Sequence, residues 1–167
     1  MSNNILNHQR ISSILKRLAI EILERNYPSN QIILAGIANR GWILAEMLHK
    51  ELLSHGENKI IELAKIILDK NAPEKSDVHI EGLNFLEKEH AVIVVDDVLY
   101  SGKTMMYALL PFLKLDVKKL QTLVLVHRDY QFFPVKADYM GISLATTYQE
   151  HVSVQLESAE LSVEISS

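Results

Sequence analysis

The chain contains no cysteine. That excludes a disulfide framework, a thiolate metal site and a cysteine nucleophile. Glycine and proline are sparse, at 6 and 4 positions. Collagen-like and low-complexity chains need far more of both. No uninterrupted apolar run approaches the roughly 18 residues that a membrane helix requires. The first residues, Met1-Ser2-Asn3-Asn4, lack the basic stretch and apolar run of a secretory leader. These absences lead us to expect a cytoplasmic protein without a membrane partner. Positive charge is also short, with 17 Lys and Arg against 21 Asp and Glu and a net charge of −4. A dedicated nucleic-acid binder is usually basic, so such a role needs a local patch.

What is present suits a globular α/β protein. The 167 residues are 48% hydrophobic, enough for one domain with a real core. No linker or internal repeat divides the chain, so a single domain over 1–167 is expected. Residues 11–25 place Ile11, Ile14, Leu15, Leu18, Ile22 and Leu23 at helical spacing, with Lys16, Arg17, Glu21 and Glu24 opposite. Residues 42–53 and 105–115 return to that period, and Pro111 is expected to kink or loosen the second helix. Residues 31–35, 91–95 and 120–126 are short apolar runs read as buried strands. Residues 59–68 fit a strand better than a helix, and the polar 69–77, with Pro73, fit a loop. Short strands are expected at 137–140 and 152–156. Apolar strands alternating with helices predict a twisted, mainly parallel sheet covered on both faces. Ligands in such folds sit outside the carboxyl ends of the strands.

One strand end stands out. It reads Val92-Ile93-Val94-Val95-Asp96-Asp97-Val98-Leu99-Tyr100-Ser101-Gly102-Lys103-Thr104. An apolar strand runs into two adjacent acids, then a Ser-Gly-Lys-Thr loop opens a helix. Gly102 permits backbone conformations that other residues resist. Hydroxyls and helix-start amides converge there and favour a phosphate. Adjacent carboxylates need something positive or hydroxyl-rich, such as a sugar diol with or without Mg²⁺. Alone, each part has an ordinary explanation as a turn cap or a helix start. Both at this spacing are hard to explain that way. A P-loop is excluded, because the glycine it needs five residues before the Gly-Lys pair is Asp97.

This segment resembles the phosphoribosyl-pyrophosphate (PRPP) signature of the type I phosphoribosyltransferases. It is especially similar to the pyrimidine-operon attenuation proteins that double as uracil phosphoribosyltransferases. The resemblance implies that family's fold, a sheet with helices on both faces and a small hood. It implies that Asp96 and Asp97 sit under the ribose hydroxyls, with Mg²⁺ held mainly by PRPP and these acids nearby. Tyr100, Ser101, Gly102, Lys103 and Thr104 would wrap the 5′-phosphate. Gly36-Ile37-Ala38-Asn39-Arg40-Gly41, after the first apolar strand, resembles the family's pyrophosphate loop. Ala38, Asn39, Arg40 and Gly41 would then hold the leaving group, with Arg40 stabilising its growing charge. Arg40 and Asp97 are thus the expected catalytic residues.

The resemblance runs on through residues 11–26, 123–141 and 151–156, with gaps in the middle. Where the attenuation proteins carry Leu-Tyr-Arg-Asp-Asp, part of the hood over the base, this chain reads Ile67-Leu68-Asp69-Lys70-Asn71-Ala72-Pro73. Where they carry Asp-Arg-Gly-His-Arg-Glu-Leu-Pro, it reads His127-Arg128-Asp129-Tyr130-Gln131-Phe132-Phe133-Pro134. The His and second Arg that resemblance would assign to RNA contact are Tyr130 and Gln131. Losing such cations weakens RNA binding directly, so RNA is disfavoured as a partner.

The implied reaction moves 5-phosphoribosyl from PRPP to a nucleobase, with uracil expected. Hypoxanthine-guanine enzymes carry an Asp at the position of Tyr100, and Tyr is no base near neutral pH. His127, Met140 and Ile142 are the expected base pocket. Phe132, Phe133, Tyr139 and Met140 suit core or subunit interface equally well. His49, His55, His79 and His90 lack ligand spacing and are read as surface or loop residues. Trp42 is read as helix packing. The alternative function is a non-catalytic PRPP or nucleotide sensor that regulates pyrimidine genes through RNA. A homodimer is expected as the commonest symmetric assembly.

Overall fold

The structure is a computed structural model. It describes residues 2–56, 58–83, 89–129, 131–145, 147 and 149–166. In chain order the elements are β1 (Ser2–Leu6), α1 (His8–Arg25), β2 (Gln31–Ile37), α2 (Arg40–His55), β3 (Ile60–Ile67) and β4 (His79–Glu81). They continue with β5 (His90–Leu99), α3 (Lys103–Leu113), β6 (Lys119–Arg128), β7 (Tyr139–Leu144), β8 (His151–Gln155) and β9 (Ser162–Ser166). The main sheet has the order β4-β3-β2-β5-β6-β7. Its strands run parallel except β4, which pairs antiparallel with β3.

The apolar strands bury both faces, as a parallel sheet requires. On one side, Leu15, Leu18 and Ile22 of α1 and Leu44 and Leu48 of α2 pack on Ile32, Leu34, Ile93 and Leu123. On the other, Met105, Ala108 and Phe112 of α3 pack on Ile33, Val92, Val94 and Val124. Pro111 sits two residues before the end of α3, so little helix follows it to be lost. Trp42 is half-buried near the start of α2, with the Lys65 ammonium 5.7 Å from its ring.

A second sheet, β1-β9-β8, is antiparallel and joins the two chain ends. Sequence patterning missed β1 and β9. Their pairing partners lie at opposite ends of the chain, and β1 is mostly polar. Four further expectations are corrected. The strand expected at 137–140 starts later, at Tyr139, because the Asp138 carboxylate accepts the Thr122 N–H and caps the entry to the ladder. Pro73 begins a short 3-10 turn, Pro73–Lys75, inside the expected loop. His90 is buried rather than exposed, because it opens β5, and its Nε2 lies 3.7 Å from Glu62. His49 is likewise half-buried, with Nε2 3.0 Å from the Ile61 carbonyl.

Tyr139 locks α1 to the sheet. Its ring is fully buried, its hydroxyl donates to Gln121 Oε1 at 3.1 Å, and it accepts from Asn26 Nδ2 at 3.0 Å. Burial pushes its phenol above the usual range. The Arg25 guanidinium lies 4.9 Å from the ring centroid. Removing the hydroxyl strands two buried partners. Urea unfolding of Tyr139→Phe is expected to show a loss of about 1–3 kcal/mol.

Candidate active site

The parallel order β3-β2-β5 places three strand ends side by side. Each ends in a loop expected to matter, or in one that proves to. β5 does not stop before its acids. Its ladder with β6 continues through Asp96↔Val124, Val98↔Val126 and Leu99↔His127. Asp96 and Asp97 therefore lie within the strand, 5% and 6% exposed, rather than in a loop after it.

Buried carboxylates need cations or donors. The Asp97 N–H donates to Asp96 Oδ1 at 3.0 Å. Arg40, the first residue of α2, brings Nη1 to 3.3 Å from Asp97 Oδ2. Lys70, in the loop after β3, brings Nζ to 2.8 Å from Asp96 Oδ1 and 3.9 Å from Asp97 Oδ1. Sequence reasoning assigned Lys70 no role. The available signal was a cation just past the carboxyl end of a strand in a parallel sheet.

Gly41 allows α2 to approach. A Cβ there would lie 2.5 Å from the Val95 carbonyl oxygen and 3.0 Å from Asp96. The Ala38–Asn39 peptide bond is cis. Ala38, Asn39, Arg40, Ile67, Leu68, Asp69, Lys70 and Asp97 line a cavity of about 490 Å³. A second cavity, about 260 Å³, is lined by Lys70, Asp96, Asp97, Tyr100, Ser101, Gly102 and Thr104, among others. Asp97 and Lys70 border both.

Gly102 caps α3 at φ 85°, the left-handed region that favours glycine. The loop 131–135 backs it. The N–H groups of Phe132 and Phe133 donate to the Ser101 carbonyl at 2.9 and 3.0 Å. A Cβ on Gly102 would meet Val135 at 2.6 Å. Lys103 does not line the second cavity. Its Nζ pairs with Glu74 at 2.7 Å, which holds the Glu74 carboxyl below the usual range. Only the Lys103 backbone serves the loop, with its N–H 3.3 Å from Ser101 Oγ.

The expected base-pocket residues do not assemble at the acids. Met140 packs with the α3 cluster and Ile142 with the α1 cluster. Neither lines the two cavities beside Asp97. His127 lies at the end of β6, next to Leu99 in the ladder. It is buried, and its Nδ1 has no hydrogen-bond partner among the described residues. Its Nε2 is 3.4 Å from Asp129 Oδ1. The Arg128 guanidinium stacks 4.3 Å from the Tyr100 ring centroid. Tyr130 lies outside the described residues.

The family profile described as phosphoribosyl transferase domain matches residues 1–159. The chain belongs to this phosphoribosyl transferase family. Relatives include the Bifunctional protein PyrR of Alkaliphilus metalliredigens, 35% identical over 158 residues, covering 91% of this chain and 87% of that protein. The Bifunctional protein PyrR of Bacillus velezensis is 34% identical over 164 residues, covering 93% and 91%. Similar folds include a hypoxanthine-guanine phosphoribosyltransferase from Bacillus anthracis, with TM-score 0.66 and 20% identity over 86% of this chain and 84% of that one. The hypoxanthine phosphoribosyltransferase of Trypanosoma cruzi gives TM-score 0.70 and 17% identity over 85% and 81%. No helix among the described residues is long and apolar enough to cross a membrane.

In this phosphoribosyltransferase the Asp96 carboxyl is strongly perturbed. Burial pushes the Asp96 carboxyl up to about 7, Lys70 pulls it down, and Asp97 adds to the rise. Unfolded, the same group titrates near 4. Between about pH 4 and pH 7 the folded state therefore holds a proton that the unfolded state releases. Asp96 thus lowers stability progressively as pH rises across that window. Urea unfolding across pH is expected to show wild type losing stability relative to Asp96→Asn from about pH 4 to about pH 7, with no further divergence above.

Proposed function

We propose that the chain, as one domain over 1–167, is a Mg²⁺-dependent phosphoribosyltransferase that converts uracil and PRPP to UMP and pyrophosphate. The observation that carries this is the buried Asp96-Asp97 pair with a cavity on either side. One cavity is lined in part by Ala38, Asn39 and Arg40 and the other in part by Tyr100, Ser101, Gly102 and Thr104. The ribose diol lies on the acids, the 5′-phosphate on Tyr100, Ser101, Gly102, Lys103 and Thr104, and the pyrophosphate on Ala38, Asn39, Arg40 and Gly41. The choice of uracil draws on relatives named PyrR and on Tyr100, where purine enzymes are expected to carry an acid.

In the reaction the bond from ribose C1′ to the pyrophosphate oxygen breaks, and C1′ bonds to a ring nitrogen of the base, whose N–H proton passes to water or to the departing pyrophosphate. Positive charge develops on the sugar and negative charge on the leaving group. Arg40 meets that negative charge from a fixed helix start. Asp96 and Asp97 hold the ribose hydroxyls and face the developing positive charge. Among the described residues no cluster of three or more His, Asp or Glu forms a metal cage. Two adjacent carboxylates nonetheless suit a hard cation that the substrate's own oxygens largely hold. Asp96 and Asp97 would help hold Mg²⁺ there, and it would supply Lewis-acid neutralisation of the leaving group. His127, whose buried Nδ1 has no hydrogen-bond partner among the described residues, is the proposed base contact. Met140 and Ile142 are half-buried against the two core clusters and line neither cavity beside Asp97. A homodimer remains the proposed assembly.

The relatives' word "bifunctional" favours a second reading, a nucleotide sensor that regulates pyrimidine genes through RNA. Pyrophosphate release from PRPP with uracil, orotate, hypoxanthine, guanine, adenine and xanthine separates the two. Turnover is expected with uracil, and Arg40→Ala is expected to lower kcat by about 100-fold. PRPP binding without turnover on any base would overturn the catalytic reading and leave the sensor.

A further inference from the structure

We propose that Lys70 is a second binding residue for the leaving pyrophosphate, held by Asp96 in the free protein and released when ribose occupies the acids. This rests on the phosphoribosyl-transfer reading of the same site. Lys70 and Asp97 are the two residues that border both cavities. The Lys70 ammonium contacts both carboxylates, and its side chain is 35% exposed, so one side of it is open to solvent. Lysine suits such an exchange, with three donors on a flexible stem.

The backbone under Lys70 is tied down. The Asn71 N–H donates to Asp69 Oδ1 at 2.9 Å, and the Asp69 N–H donates to Ser76 Oγ at 3.2 Å. Glu74 in the same loop is anchored to Lys103 at the start of α3. Only the side chain has to swing. Ribose hydroxyls arriving at Asp96 and Asp97 compete for the carboxylate oxygens that Lys70 now holds. The displaced ammonium lies at the border of the Arg40 cavity, where the pyrophosphate brings several negative oxygens. Arg40 has the same two partners in reach, Asp97 on one side and that cavity on the other. Two cations from different strand ends would then face the leaving group.

Calorimetric titration with pyrophosphate and, separately, ribose 5-phosphate, both with Mg²⁺, tests this on wild type, Lys70→Gln and Lys70→Arg. Lys70→Gln is expected to weaken pyrophosphate binding by about 10- to 100-fold, the size of a lost charge-assisted hydrogen bond. Ribose 5-phosphate binding is expected to change little, and Lys70→Arg to recover part of the pyrophosphate affinity. Unchanged pyrophosphate binding in Lys70→Gln overturns the proposal. Equal weakening of both ligands also overturns it, because Lys70 would then act only as a counter-ion for the acids. Wild type that binds neither ligand would instead bring down the functional reading, and this inference with it.

Discussion

Two adjacent carboxylates buried at the end of the central strand constrain everything around them. A charge buried without a partner costs several kcal/mol, roughly, so the fold must deliver cations to that point. It does so from two directions. Arg40 comes from the start of α2 and Lys70 from the loop after β3. The strand order makes this possible, because β2 lies between β3 and β5 and all three point the same way. Gly41 removes the one side chain that would keep α2 away from the acids. Binding chemistry and folding chemistry thus share the same atoms. Groups that neutralise the acids in the free protein also line the cavity beside them.

The phosphate-type loop depends on a different support. Gly102 takes a backbone conformation that other residues resist, and Ser101 accepts two N–H groups from the segment that follows β6. Arg128 covers the Tyr100 ring from the same direction. On the other side Glu74 holds Lys103. The loop is therefore braced by elements before and after it in the chain. Such bracing fixes the backbone of the turn that opens α3.

The small sheet pairs the first and last strands and packs on the main core. Its strands β1 and β9 pair Ser2 with Ser166, and its apolar residues Val152, Val154 and Val163 join the same core as α1 and α2. Tyr139 performs a related task on the main sheet, tying Asn26 at the end of α1 to Gln121 of β6. Both are long-range pairings whose two halves carry little local signal.

The sequence by itself determined the centre of the molecule. The run from Val92 to Thr104 announced a buried strand, an acid pair and a glycine-led helix start, because those features depend on near neighbours in the chain. The helical spacing of α1 and the Gly-flanked Arg40 were legible for the same reason. Tertiary structure alone decided which groups meet. Lys70 is an ordinary loop lysine until the parallel sheet sets it beside Asp96, 26 residues away. Met140 and Ile142 are ordinary apolar residues until packing assigns them to different clusters, away from the acids. Lys103 sits inside the motif, yet its ammonium is taken by Glu74. Local pattern encodes backbone shape, whereas a side chain's partner depends on what the fold carries in from elsewhere. That is why the loops could be read in advance and the ion pairs could not.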